Sequence, residues 1–379
     1  MINKDRLLDT FIALTALDSE SRAEAPVRDY LMRWFKGRAE SLEEDSAAAA
    51  VNGNCGNVLV RLPGSGGGRP LLFSCHMDTV KPGRGIKAAL DSDNIIRGAG
   101  DTILGSDDKA GIAAILEAVT VMEEQGIKHP PLELLFTVCE EQGLLGARHF
   151  DLDTLRSAMG FVLDSSGAPG SIVVQSPSQY ELNYYVTGKA AHAGMCPEMG
   201  LNAIQVMAQA LAKMPCGRVD EETTCNFGMI EGGQARNAVA AECHVKGEAR
   251  SLKPEKLERL ADELSRIFTD TVTAAGAQGL VERVLLYSAV DYDPEAEVVK
   301  LASQAAAGLG LPVSLDKTGG GSDASVINRR IPCVNLGIGM SAVHTVEEYI
   351  SWDDMADVAR WIVAIVRLAG SDEAVNPVG

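Results

Sequence analysis

Apolar positions near the start of the chain recur at helical spacing. Leu7, Leu8, Phe11, Ile12 and Leu14 line one face, and Val27, Tyr30, Leu31, Trp34 and Phe35 repeat at i, i+3, i+4, i+7 and i+8. Pro26 suits the start of that second helix, where its missing N–H would have no helical partner. Apolar runs at 57–62 and 70–75 read as strands, parted by a glycine-rich turn at 64–68. A helix is expected over 109–125, a strand over 132–138, and a short strand over 160–163 that ends at Asp164. Strands alternating with helices predict an α/β domain built on a mainly parallel sheet.

The pattern changes after about residue 178. Positions 181–186 alternate as a strand, a helix follows over 203–212, and strands are expected over 224–229 and 238–250. Leu257, Leu260, Leu264, Phe268 and Val272 then keep helical spacing over 254–275, and a strand at 280–287 closes the group. This β-α-β-β-α-β order predicts a ferredoxin-like α+β domain with an antiparallel sheet. The earlier alternation resumes with a helix at 294–307, a glycine loop at 319–321, a strand at 333–336 and a last helix at 353–368. The expected organisation is therefore a catalytic domain in two parts, 1–178 and 289–379, interrupted by a smaller domain at 179–288.

Charge and composition narrow the function. The 379 residues carry 34 Lys and Arg against 52 Asp and Glu, a net charge of −18 that disfavours nucleic acid as a partner. No apolar run approaches the ~18 residues of a membrane helix, and the first residues lack a signal-peptide core, so a cytoplasmic protein without a membrane partner is expected. The eight cysteines include no C-x-x-C pair and read as buried small hydrophobes of a reduced protein.

The candidate chemistry follows strand ends, where open α/β sheets bind ligands. The apolar run 71–75 leads straight into His76 and Asp78, two apart, a spacing that suits a metal ligand and the group that orients it. Asp107 and Asp108 open a helix, and capping accounts for one of them more readily than for two. The run 132–138 feeds into Glu140 and Glu141, adjacent carboxylates that repel unless positive charge is near. Asp164 repeats the arrangement, and His344 follows the last strand. Each alone has a local structural reading. Together, His76, Asp107, Glu141, Asp164 and His344 suit a pair of divalent ions such as zinc, manganese or cobalt. No H-E-x-x-H helix, P-loop or G-x-S-x-G elbow competes.

The motifs H-M-D-T-V from His76, G-S-D-D-K-A-G from Gly105, C-E-E-Q-G from Cys139, V-L-D ending at Asp164, G-G-x-x-x-N ending at Asn237 and a late His344 resemble the peptidase T-like branch of the co-catalytic zinc aminoacylase/carboxypeptidase superfamily. The resemblance implies a metallopeptidase releasing residues from short peptides such as tripeptides. A carboxypeptidase or N-acyl-amino-acid amidohydrolase with the same metal site is the alternative. It also implies that His76 and His344 each hold one metal, that Asp107 bridges them, and that Asp164 and Glu141 complete the two sets. Asp78 would orient His76, Glu140 would be the general base, and the Asp107–Asp108 peptide would be cis. In the inserted lid and dimerisation domain, His192 would polarise the scissile carbonyl, often from the neighbouring subunit of a homodimer. Asn237 and Arg250 would bind substrate, with Ser322 of the 319–323 loop as a further contact. The sequence departs from the family pattern after Asn237, where Val239 is followed by Ala240 in place of a proline.

Overall fold

The computed structural model describes residues 1–370, which divide into two compact units. The first comprises 1–174, 292–317 and 322–370; the second comprises 175–291 and 318–321.

The first unit is built on one large sheet. Its strands run in the order Ser41–Glu44, Val58–Leu62, Leu132–Thr137, Leu71–His76, Met159–Ser165, Cys333–Gly337 and Ser171–Ser176. The four strands from Leu132–Thr137 to Cys333–Gly337 are mutually parallel, and antiparallel neighbours flank them. Leu71–His76 and Leu132–Thr137 are buried along their whole length, which is why they read as continuous apolar runs and not as alternation. Glu133 is the exception in that run, and it is paired: its Oε1 lies 3.0 Å from Arg61 Nε on the adjacent strand. Its Oε2 accepts from the Ser157 N–H and hydroxyl, so the buried charge has partners on both oxygens.

Helix Ser106–Gln125 is buried on nearly every side and stops at Gly126, whose φ of 60° suits a glycine cap. Gly111 lets this helix lie close to the sheet, since a Cβ there would stand 2.7 Å from Cys75 Sγ and 2.8 Å from the Leu163 carbonyl. Helix Trp352–Ala369 covers it, with Trp361 fully buried and donating its indole N–H to the Ala302 carbonyl at 2.9 Å.

The second unit is an antiparallel sheet in the order Gly217–Asp220, Thr223–Gly232, Glu242–Ser251, Ser178–Thr187, Gln278–Tyr287. Setting aside the short outer strand, the second, third, first and fourth strands of a split βαβ unit lie in that order. Leu182, Tyr184, Val186, Cys243 and Val245 face one way and pack on Val206, Leu260, Leu264 and Phe268 of helices Ala203–Leu211 and Pro254–Ala274. The mixed α/β fold with a mainly parallel sheet and a separate antiparallel α+β unit is thus the one expected.

Two details differ from the sequence reading. The strand expected over 238–250 begins only at Glu242, because the preceding carbonyls of Ala240 and Ala241 accept from the N–H groups of Ala203, at a helix start, and Gly188, in a loop. The cysteines are not all buried: Cys216 is exposed and Cys196 half-buried, both on loops, and all eight are free thiols.

Candidate active site

The four parallel strands open their carboxyl ends on one edge of the sheet. Leu71–His76 delivers His76, and Leu132–Thr137 runs on through Val138 and Cys139 to Glu140 and Glu141. Met159–Ser165 carries Asp164 next to its end, and Cys333–Gly337 leads into the segment that bears His344. Asp107 arrives from the head of Ser106–Gln125, where Asp107 and Asp108 leave helical geometry and share a cis peptide bond.

These side chains converge. His76 Nε2 lies 2.9 Å from Asp107 Oδ1 and 3.8 Å from Asp164 Oδ1. The other Asp107 oxygen is 3.2 Å from His344 Nε2, which in turn lies 2.8 Å from Glu141 Oε1. Asp107 therefore stands between two imidazoles, one on each oxygen. Ligand atoms of His76, Asp107 and Glu141 all lie within 4.8 Å of one another, and so do those of His76, Asp108 and Asp164.

The orientation of each group has a cause. His76 Nδ1 sits 2.9 Å from the Asp78 backbone carbonyl, which fixes a proton on Nδ1 and turns Nε2 to the cluster. The Asp78 carboxylate is farther from that ring, at 3.5 Å, and serves a second purpose. It accepts from the Glu140 N–H at 2.9 Å, the Glu141 N–H at 3.3 Å and the Ser21 hydroxyl at 2.7 Å. The preceding Cys139, at φ 51°, donates its N–H to Glu24 Oε1 at 3.0 Å. Two buried carboxylates thus hold three successive N–H groups of the Glu-Glu turn.

The electrostatics are those of a carboxylate excess. Burial pushes Glu140 well above the usual carboxylate range, with the Asp164 charge adding to it. Burial and the Asp107 charge push Asp164 up to about 8, and burial raises Glu141 against its bond to His344. Asp107 goes the other way: burial opposes, but the hydrogen bonds from His344 and His76 outweigh it. His344 is pushed up to about 10 by Asp107 and Glu141. His76 also rises, because Asp107, Asp164 and Asp78 prevail over burial. Among the described residues, the ion pairs of these carboxylates are all with imidazoles. Buried carboxylates that outnumber their cations demand further positive charge. Carboxylate oxygens and imidazole nitrogens set this close fit divalent ions such as zinc, manganese or cobalt.

The substrate candidates lie apart in sequence. Exposed His192 accepts from the Gly194 and Met195 N–H groups on Nδ1, both at 3.2 Å, which leaves Nε2 as the protonated nitrogen. Asn237 is exposed in the same unit, and its carbonyl accepts from the Ala193 N–H at 3.0 Å. Arg250 is already engaged: Nε and Nη2 pair with the two Glu248 oxygens at 3.0 and 2.9 Å, and Nη1 donates to the Gly319 carbonyl. Ser322, in the first unit, is buried at the head of helix Asp323–Ile327.

Several supporting residues carry no sequence signal of their own. Asn335 accepts from the Asp164 N–H at 2.9 Å and donates to its carbonyl at 3.0 Å, across parallel strands. Asp323 accepts from Thr137 at 2.5 Å and is pushed up to about 6 by burial. Asp108 Oδ2 accepts from the His76 N–H at 3.2 Å. Only the adjacency of Asp108 to Asp107 and of Asp323 to the glycine loop could have drawn attention to them.

Known proteins resemble this chain over most of its length. The sequence profile of peptidase family M20/M25/M40 matches residues 72–368. A Bacillus subtilis (strain 168) protein described as uncharacterized protein YqjE is 40% identical over 370 residues, covering 97% of this chain and all of that one. The crystal structure of aminopeptidase PepT from Bacillus cereus ATCC 10987 superposes with a TM-score of 0.87 at 40% identity, covering 98% and 100% of the two chains. A tripeptidase from Staphylococcus aureus subsp. aureus Mu50 gives a TM-score of 0.91 at 35% identity, covering 98% and 99%.

Proposed function

The chain belongs to peptidase family M20/M25/M40, and from that premise we propose that it is a two-metal aminopeptidase acting on short peptides, tripeptides foremost. The observation that carries the reading is Asp107, with one carboxylate oxygen toward His76 and the other toward His344. His76, Asp164 and Asp107 would hold one divalent ion, and His344, Glu141 and Asp107 the other, with zinc as the native metal. When bound, the ions supply Lewis acidity that lowers the pKa of a water and polarises the scissile carbonyl.

The chain's own groups do the rest. Glu140, buried beside the cluster on a turn pinned by Asp78 and Glu24, takes the proton from the attacking water. It then delivers that proton to the leaving amine. Asp78 keeps the His76 proton on Nδ1, so that Nε2 remains a ligand. His192 is assigned to the scissile carbonyl from the neighbouring subunit of a homodimer, and Asn237, Arg250 and Ser322 to substrate. For Arg250 that assignment requires a substrate carboxylate to displace Glu248 from its fork. The named tripeptidase and PepT relatives favour this substrate class, and no helix among the described residues is long and apolar enough to cross a membrane. We place the enzyme in the cytoplasm.

The test is product analysis of metal-loaded protein given Ala-Ala-Ala and its N-acetyl derivative. Release of the first alanine from the free peptide alone is expected. Cleavage of the acetylated peptide would replace this reading with carboxypeptidase or amidohydrolase chemistry. Glu140→Gln should bind metal and fold normally yet lose activity by about 10²-fold or more; normal turnover would remove Glu140 as the base.

A further inference from the structure

Asp107 and His344 come from distant parts of the chain, yet their side chains must meet within hydrogen-bonding distance. The segment carrying His344 is a loop closed at its neck by a pair of hydrogen bonds between Ser341 and Tyr349, each 3.0 Å. Within it, Ala342 and His344 have left-handed backbone, with φ of 51° and 65°. Residues 342–347 are exposed or half-exposed, and the bonds the loop makes to itself are few: Thr345 to Ala342, and Glu347 and Glu348 to Thr345. Val343 packs partly against the core, but the neighbouring His344 is itself exposed and is not fixed by packing.

Glu348 is the one buried residue between Ser341 and Tyr349, at 2% exposure. Its carboxylate accepts four hydrogen bonds, all from the segment that presents Asp107. Oε2 takes the N–H groups of Leu104 and Gly105, both at 2.8 Å. Oε1 takes the Ser106 hydroxyl at 2.5 Å and the Asp107 N–H at 3.2 Å. We infer that Glu348 is a positioning residue that locks the His344 loop to the Asp107 segment and so assembles the ligand set of one of the two metals.

The inference rests on the two-metal reading above. A carboxylate is required, because all four donors need acceptor oxygens. Glutamine would turn an NH₂ group toward two of them, and aspartate is a methylene too short. If Glu348 were only a cap for helix Ser106–Gln125, its loss would lower stability and affect both metals alike. As a positioning residue it acts first on the ion held by His344 and Glu141, and less on the ion held by His76 and Asp164, which shares Asp107.

Metal-free wild type, Glu348→Gln and His344→Ala would each be titrated with Co²⁺, following visible absorption and calorimetric stoichiometry, with circular dichroism as the fold control. Wild type should take two ions per chain. In Glu348→Gln, one ion should weaken about 10- to 100-fold, as when outer-shell partners of metal ligands are removed. It should be the same ion that His344→Ala loses, with the other, which shares Asp107, weakened clearly less. Two ions bound as in wild type, or two ions weakened equally in a folded chain, would overturn the inference while leaving the metal site standing. A wild type that takes up fewer than two ions would overturn the two-metal reading, and the role of Glu348 with it. Should Glu348→Gln not fold, Ser106→Ala removes one donor only and should weaken the same ion roughly 2- to 10-fold; unaltered binding there would be equally fatal.

Discussion

Glu24 Oε1 accepts the N–H groups of Arg22 and Cys139, while Oε2 is buried with no hydrogen-bond partner among the described residues. Burial, then the nearby Asp78 charge, raises its pKa above the ordinary carboxylate value. The folded chain therefore holds this proton more tightly than the unfolded chain, in which Glu titrates near 4.3. The stability it contributes is complete below that pH and is lost as pH rises through the raised folded value. Glu24→Gln, neutral at every pH, should come closest to wild type below about pH 4 and be the more stable protein at pH 8, as read by urea unfolding. A constant difference between the two pH values would show that Glu24 is ionised in the fold. Residues of this kind also mark the limit of sequence reading. His76, Asp107, Glu141, Asp164 and His344 are legible because each follows an apolar run or opens a helix. Glu24, Asn335 and Glu348 act by long-range hydrogen bonds to backbone, and no spacing in the sequence encodes such a bond.

Helix Ser106–Gln125 shows what an element must do to carry one ligand. Its regular part begins after Asp108, which is where the apolar pattern placed the helix start; the two carboxylates sit on the irregular turn before it. Close approach to the sheet is set by Gly111. A methyl group there would meet Asp108 Oδ1 at 2.5 Å as well as Cys75 and Leu163. Alanine is the better helix former by about 1 kcal/mol, but overpacking a rigid contact costs about 1–3 kcal/mol. Gly111→Ala should therefore be destabilised on balance, and a higher urea midpoint than wild type would show that the helix can back away freely. The short sheet of Ala88–Leu90, Ile95–Gly98 and Tyr349–Ser351 went unread in the sequence. Strands of three or four residues are too short to show alternation, and Tyr349–Ser351 pairs with a strand far back in the chain.

At the level of the whole molecule, the change from mixed α/β alternation to a β-α-β-β-α-β order was enough to read both architectures. The return of residues 318–321 to the second unit was not, because a glycine turn has no pattern of burial to betray where it lies. The two units also differ in how local their pairing is. All five strands of the antiparallel sheet fall within one continuous stretch, 178–287, and that sheet can form from neighbours. In pulsed hydrogen exchange during refolding of the full chain, amides of Ser178–Thr187 and Glu242–Ser251 should gain protection before those of Met159–Ser165 and Cys333–Gly337. The reverse order would mean that the large sheet nucleates without waiting for its last strand.

That last strand sets a timetable for synthesis. Met159–Ser165 pairs on one side with Cys333–Gly337, and Ser171–Ser176 joins the sheet through the same strand. On a ribosome adding roughly 5–20 residues per second, the earlier strands emerge on the order of 10–30 s before their partner exists. Through that interval the nascent chain presents an apolar strand with an open hydrogen-bonding edge. The insertion that splits the parallel sheet thus keeps that edge open until the chain has been translated through to Gly337.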